Sequence, residues 1–145
     1  MSKTQEVPAQ DLEEGRALRL DFSKLEQAVA QSPGILPVAV QDADTGAVLL
    51  VAYTNRLAFE EALQQRELVL WSTSRGELWH KGATSGATFE LVEVRVNCEQ
   101  NSLLYRVRPK QAGMCHTQRA DGAPRTSCFY RRLDFEVRTL ENLEA

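Results

Sequence analysis

The most direct chemistry in this 145-residue sequence lies in three cysteines, Cys98, Cys115 and Cys128, spaced C-x16-C-x12-C. No zinc-finger module has that spacing, so local sequence cannot close a metal site; folding or a second subunit must bring the sulfurs together. From spacing alone, three isolated buried thiols are the default reading, since cysteine is common in cores. Two features point toward a metal. Each cysteine stands beside polar, turn-prone residues (Asn97 and Glu99, Gly113, Ser127) rather than inside an apolar strand, and His116 follows Cys115 directly. Three thiolates holding zinc with one position open lower the pKa of a bound water to about 7, and a nearby imidazole can move its proton. An odd cysteine count argues against a disulfide framework and for a reducing, cytoplasmic setting.

A second cluster runs from Trp71 to Gly86, sixteen residues with three glycines, five hydroxyl side chains, Arg75, His80 and Lys81. Backbone N–H groups freed by glycine, hydroxyl donors and cations suit a phosphate or carboxylate. The glycine spacing is not that of a Walker loop. A hydrophilic hairpin with Trp71 and Trp79 packed in the core is the alternative.

Composition bounds the partners. Residues 66–132 hold 11 Lys+Arg against 6 Asp+Glu, whereas residues 1–65 hold 5 against 10 and residues 133–145 hold 1 against 4. A basic segment inside an acidic chain of net charge −3 suggests a small anionic ligand and no nucleic acid polymer, although on charge alone scattered arginines solvating one face account for it equally. The longest apolar run, Ala47 to Tyr53, is strand-sized, and the first residues lack the apolar core of a secretory signal, so no membrane association is expected. With 43% hydrophobic and 26% charged residues, the chain reads as one globular domain able to bury its own core.

The elements that must position these residues are a helix from Ser23, with capping-box spacing to Glu26 and Leu25, Ala28 and Val29 on one face, then a hairpin of Pro37–Gln41 and Ala47–Tyr53. Asn55 caps a helix over Arg56–Gln65, and Leu68–Ser72 is a short strand. Phe89–Val96 alternates as a half-buried strand, Asn97–Asn101 turns, and Ser102–Val107 returns. Gln111–Ser127 reads as loop, Cys128–Arg131 as a last strand, and Phe135–Leu143 as strand or helix. Residues 1–21 read as a flexible leader or loosely docked arm before a single domain over 22–145. The expected fold is α+β, mainly β: a small folded mixed sheet with one or two helices.

In order along the chain, Leu36 through Gln41-Asp42, Trp71-Ser72-x-Ser74-Arg75, Leu78-Trp79-His80-Lys81-Gly82-x-Thr84-Ser85-Gly86, Asn97-Cys98, Cys115-His116-Thr117 and Ser127-Cys128-Phe129-Tyr130 resemble the phosphoribosyl-AMP cyclohydrolase family of histidine biosynthesis. The resemblance covers about residues 36–132. It implies hydrolysis of the N1–C6 bond of the adenine ring in N1-(5′-phosphoribosyl)-AMP by a cytoplasmic, intertwined homodimer with a pseudobarrel-like sheet. It implies zinc on Cys98, Cys115 and Cys128, the cysteines being drawn from both chains. His116 is then the acid/base, with Arg75 and Lys81 as cationic catalytic groups. Ser72, Ser74, Arg75, His80, Lys81, Thr84 and Ser85 would bind the substrate, a small nucleotide with two phosphate arms.

The sequence also departs from the family's pattern. Family members have an acidic D-C-D-x-D run whose aspartates bind magnesium; here Asn97, Glu99 and Asn101 occupy those positions, a weaker set for a hard cation. Thr73 stands where arginine is usual, Ala87 where a polar residue usually follows the T-S-G, and about six extra residues lie between Cys115 and Cys128, within 118–126. Changes grouped around the ligand, with the cysteines intact, leave two other readings open. One is a zinc hydrolase of the same fold acting on a different purine-like nucleotide or amidine; the other is a non-catalytic, zinc-stabilised binding protein.

Overall fold

A computed structural model describes residues 7–84, 86–110 and 113–145. Its centre is a six-stranded mixed sheet in the order β4-β3-β2-β1-β6-β5, built from β1 (Leu36–Asp42), β2 (Val48–Thr54), β3 (Val69–Ser72), β4 (Glu77–His80), β5 (Phe89–Val96) and β6 (Leu103–Pro109). Neighbours run antiparallel except β1 and β6, which are parallel in a register pairing Val38 with Leu103 and Asp42 with Val107. The sheet curls into a half-barrel. Leu68 N–H donates to the Phe89 carbonyl and Leu91 N–H to the Arg66 carbonyl, both at 2.9 Å, tying the start of β3 to the start of β5. Val38, Val40, Leu70, Phe89, Tyr105 and Val107 fill the concave side, each at most 2% exposed. The expected mainly β, mixed-sheet α+β fold is present.

Among the described residues three helices accompany the sheet: α1 (Ala9–Glu14), α2 (Lys24–Gln31) and α3 (Arg56–Gln65). The Asn55 side chain accepts from Ala58 N–H at 2.9 Å and so caps α3 as its sequence predicts. The capping box predicted at Ser23 does not form. Asp21 Oδ1 takes both the Ser23 N–H at 3.0 Å and the Ser23 hydroxyl at 2.6 Å, and the serine oxygen accepts from the Gln27 side chain at 3.3 Å instead of from a backbone N–H of the helix. Ala28 is the residue that α2 buries, while Leu25 and Val29 are 58% and 51% exposed.

The last predicted strand lies further along than expected, as β7 (Arg131–Leu133), and the undecided C-terminal stretch supplies β8 (Leu140–Asn142), which pairs with it antiparallel. Residues 9–17 are tied down: Tyr130 hydroxyl donates to the Glu13 carbonyl at 2.6 Å, Arg131 Nη1 to the Gly15 carbonyl at 3.0 Å, and Leu140 N–H to the Arg16 carbonyl at 2.8 Å. Those contacts describe a docked arm. Among the described residues no helix is long and apolar enough to cross a membrane.

Candidate functional site

Cys115 and Cys128 meet. Cys115 is buried; its backbone N–H donates to the Arg125 carbonyl at 3.0 Å, and its Sγ lies 3.0 Å from the Thr117 hydroxyl. Cys128 N–H donates to the Leu49 carbonyl at 2.8 Å, docking the Ser127–Cys128 segment on β2. The Cys115 sulfur is near enough to Cys128 to act on the ionisation of its thiol. Although Cys128 keeps some surface exposure, burial around its sulfur pushes the thiol up to about 12, helped by the neighbouring Cys115 and partly offset by the Lys81 ammonium. A thiol held protonated by burial, beside a second sulfur, is donor chemistry that a soft divalent cation can draw into ionisation.

Cys98 is elsewhere. It stands exposed on the turn after β5, two residues beyond the Val96–Leu103 pair, and Leu103 pairs in turn with Val38. Cys128 docks at Leu49, beside the Val40–Gln41 irregularity of β1. At about 3.3 Å per strand residue the two levels are on the order of 15 Å apart, before any distance across the strands is added. Sulfurs sharing one zinc lie about 4 Å apart, given Zn–S bonds of about 2.3 Å. Among the described residues of one chain, no group of three His, Cys, Asp or Glu side chains converges on a common point. Separate clefts serve the two places: a groove of about 720 Å³ takes Val96, Gln100 and Leu103 from the Cys98 side. A smaller one of about 220 Å³ is lined by Cys128, Phe129 and Leu12.

His116 follows Cys115, and its Nε2 lies 2.8 Å from Glu13 Oε1 on α1. The cluster that begins at Trp71 is built on one hairpin, β3–β4, and the structure divides it between the two ends. Ser72, Ser74 and Arg75 form the tip: the Arg75 N–H and Nε each donate to Ser72 Oγ at 3.3 Å, and Arg75 also faces Glu77 at 3.4 Å. His80 and Lys81 stand at the base, three residue pairs or about 10 Å away, where Lys81 N–H donates to the Leu68 carbonyl and its ammonium acts on Cys128. Thr84 is exposed just beyond, and Ser85 lies outside the described residues. Gly82 is required at the base, because its φ is +81° and a Cβ would overlap the Ala87 carbonyl. Trp71 and Trp79 are partly buried as in the hairpin alternative, Trp71 Nε1 donating to Ser32 Oγ at 3.2 Å.

Three participants had no local signal. Glu67 ion-pairs with His80 Nε2 and accepts from Lys110 Nζ at 2.9 Å; the Lys110 ammonium first, then His80, hold its carboxyl below the usual range. Glu13 meets His116 from 103 residues away. Arg125, 2% exposed, sends Nη1 and Nη2 to the two Glu14 oxygens at 2.7 and 2.9 Å and Nε to the Glu144 carbonyl at 2.8 Å, its guanidinium stacked 4.3 Å from the centre of the Tyr130 ring. It belongs to the 118–126 segment, whose hairpin-like fold (Arg119 N–H to the Ala123 carbonyl, 2.8 Å) carries it inward.

The curled mixed sheet thus presents two neighbouring cysteines next to a cation-bearing hairpin. Residues 50–130 match the model of the phosphoribosyl-AMP cyclohydrolase family. The chain is 44% identical over 101 residues to the phosphoribosyl-AMP cyclohydrolase of Hyphomonas neptunium, covering 70% of this chain and 72% of that one. It is 40% identical over 108 residues to the enzyme of the same name from Bordetella parapertussis, covering 74% and 76%. It is 50% identical over 100 residues to the histidine biosynthesis bifunctional protein HisIE of Thermus thermophilus, covering 69% of this chain and 44% of that protein. The chain belongs to the phosphoribosyl-AMP cyclohydrolase family.

Proposed function

We propose that this protein is the cyclohydrolase of histidine biosynthesis, opening the adenine ring of N1-(5′-phosphoribosyl)-AMP by hydrolysis of the N1–C6 bond. The observation that carries the reading is the Cys115–Cys128 thiol pair beside Lys81, in a chain of this family. In the reaction the oxygen of water adds to C6, the C6–N1 bond breaks, N1 takes a proton, and C6 becomes the carbon of a carboxamide. Cys115 and Cys128 would hold zinc with Cys98 of a second copy, an arrangement supported by the separation of Cys98 within one chain. Zinc, when bound, supplies the polarisation that lets water act as a nucleophile at neutral pH.

The chain's own residues do the rest. His116, next to Cys115 and held through Nε2 by Glu13, would carry protons between water and ring. Lys81 at the base of the β3–β4 hairpin and Arg75 at its tip would each serve one phosphate arm, with Ser72, Ser74 and Thr84 as neutral donors. Hydrophobic side chains exposed on one copy, Leu25, Val29 and Leu57 among them, give a homodimer apolar surface to bury. The setting we assign is cytoplasmic.

The test is to load the purified protein with zinc, supply N1-(5′-phosphoribosyl)-AMP and follow ring opening by ultraviolet absorbance. Turnover, and rescue of a histidine auxotroph lacking this step, is the expected result. Zinc retained without turnover, alongside ring opening of another purine-like nucleotide, would refute the assignment. Thr73 and Ala87, where the family carries other residues, are the observation favouring that second substrate.

A further inference from the structure

The turn that carries Cys98 satisfies its own side chains. Asn97 Oδ1 accepts the backbone N–H groups of Asn101 at 2.9 Å and Ser102 at 3.0 Å. Asn97 Nδ2 donates to Asn101 Oδ1 at 2.6 Å, and Asn101 Nδ2 to Glu99 Oε2 at 3.2 Å. The backbone closes the same loop: Gln100 N–H donates to the Asn97 carbonyl at 3.1 Å, with Gln100 at a left-handed φ of 56°. An amide carbonyl oxygen has two lone pairs, and both of those on Asn97 are taken.

These side chains do not fit the magnesium ion that the family resemblance implies. Magnesium wants charged oxygens in octahedral array, and this turn offers one carboxylate, with the Asn97 oxygen committed to backbone N–H groups and the Asn101 oxygen to an amide. Carboxylates at 97 and 101 could not adopt the arrangement unaided. Two anionic oxygens would face one another across the 2.6 Å now bridged by an N–H, a contact that demands a cation or a shared proton. The amide hydrogen does here what a cation would do between two aspartates.

We propose that the Asn97–Asn101 amide pair replaces a divalent cation as the fixture of the Cys98 turn, with Asn97 as a positioning residue for Cys98. The turn presents its thiol without magnesium. The proposal rests on the reading above only for the purpose of that thiol, zinc ligation; the cation independence of the turn stands by itself.

The experiment uses the zinc-loaded protein and Mn²⁺ as a paramagnetic probe. The unaltered protein is expected to show no saturable Mn²⁺ binding by electron paramagnetic resonance and no shift of melting temperature on adding Mg²⁺. The double variant Asn97→Asp/Asn101→Asp is expected to melt lower without Mg²⁺ and to recover about 3–5 °C with it, gaining one bound Mn²⁺ per chain. Asn97→Ala should lose zinc from the protein whatever the Mg²⁺ concentration, a loss that the aspartate variant shows only without Mg²⁺. Saturable Mn²⁺ binding by the unaltered protein that disappears in Glu99→Gln would overturn the proposal, as would a double variant indifferent to Mg²⁺. Should the double variant fail to fold, the titration of the unaltered protein decides. Full zinc retention by Cys98→Ser would refute the ligand assignment instead, leaving cation independence separately measured.

Discussion

If Cys98 completes the thiol set of a second copy, two inactive chains should repair one another. Consider Cys98→Ser and Cys115→Ser, co-expressed with different tags and isolated as the mixed dimer by two affinity steps. The first chain keeps Cys115 and Cys128, the second keeps Cys98, and across the interface these make one complete set. The other set lacks both Cys98 and Cys115. The two-fold symmetry therefore predicts about half the zinc and half the turnover of the unaltered dimer. Each parent dimer has no complete set and should have little of either. Within one chain the separation on the order of 15 Å forbids closure, so repair in cis is not available. Zinc per chain by atomic absorption and the rate of ring opening are read on the same sample. A mixed dimer no better than its parents would refute the reasoning, because that outcome requires all three sulfurs to come from one chain.

Other outcomes follow from the contacts. Arg125→Ala removes two charge-assisted hydrogen bonds, a third to the Glu144 carbonyl and the stack on Tyr130. Because Glu14 is 41% exposed and can rehydrate, the loss should be about 2–3 kcal/mol, or roughly 8 °C in melting temperature by calorimetry. No change in melting would show that the clamp contributes nothing. Gly82→Ala should cost about 1–3 kcal/mol and raise KM, since both the positive φ and the Ala87 carbonyl oppose a Cβ; an unchanged urea midpoint would contradict this. The Glu14 carboxyl is held low first by its hydrogen bonds to Arg125, and that of Glu67 first by Lys110. A carboxyl with a depressed folded-state pKa contributes stability that is present above the unfolded value of 4.5 and lost as pH falls through the folded value. Stability should therefore fall on acidification below about pH 4.5, and Glu14→Gln should flatten that limb in urea titrations at stepped pH. An acid limb unchanged in the variant would remove Glu14 from the account.

The parts of the fold that sequence made legible are those governed by neighbours a few residues apart. Asn55 caps α3 because its side chain reaches Ala58 within the same turn, and β5 alternates because its pleat does. The Ser23 cap failed for an equally local reason, a competing carboxylate two residues earlier. β7 and β8 were misplaced or undecided since three-residue strands carry too little periodicity to register. In the site, the thiols, cations and hydroxyls were visible as types. The division of Arg75 from Lys81 was not, because it depends on which residues form the hairpin's tip.

Sequence alone therefore determined the chemical inventory: three thiols, a histidine beside one of them, a cation-rich hairpin, and amides where a hard metal would want carboxylates. Only the tertiary structure decided that Cys128 lies against Cys115 while Cys98 is held away, that Glu13 reaches His116, and that Glu14 and Glu144 close on Arg125. The reason is range. Caps, turns and periodicity are set by contacts within a few residues, whereas these pairings join segments up to 111 residues apart and exist only once strand register and the curl of the sheet have fixed where each segment ends.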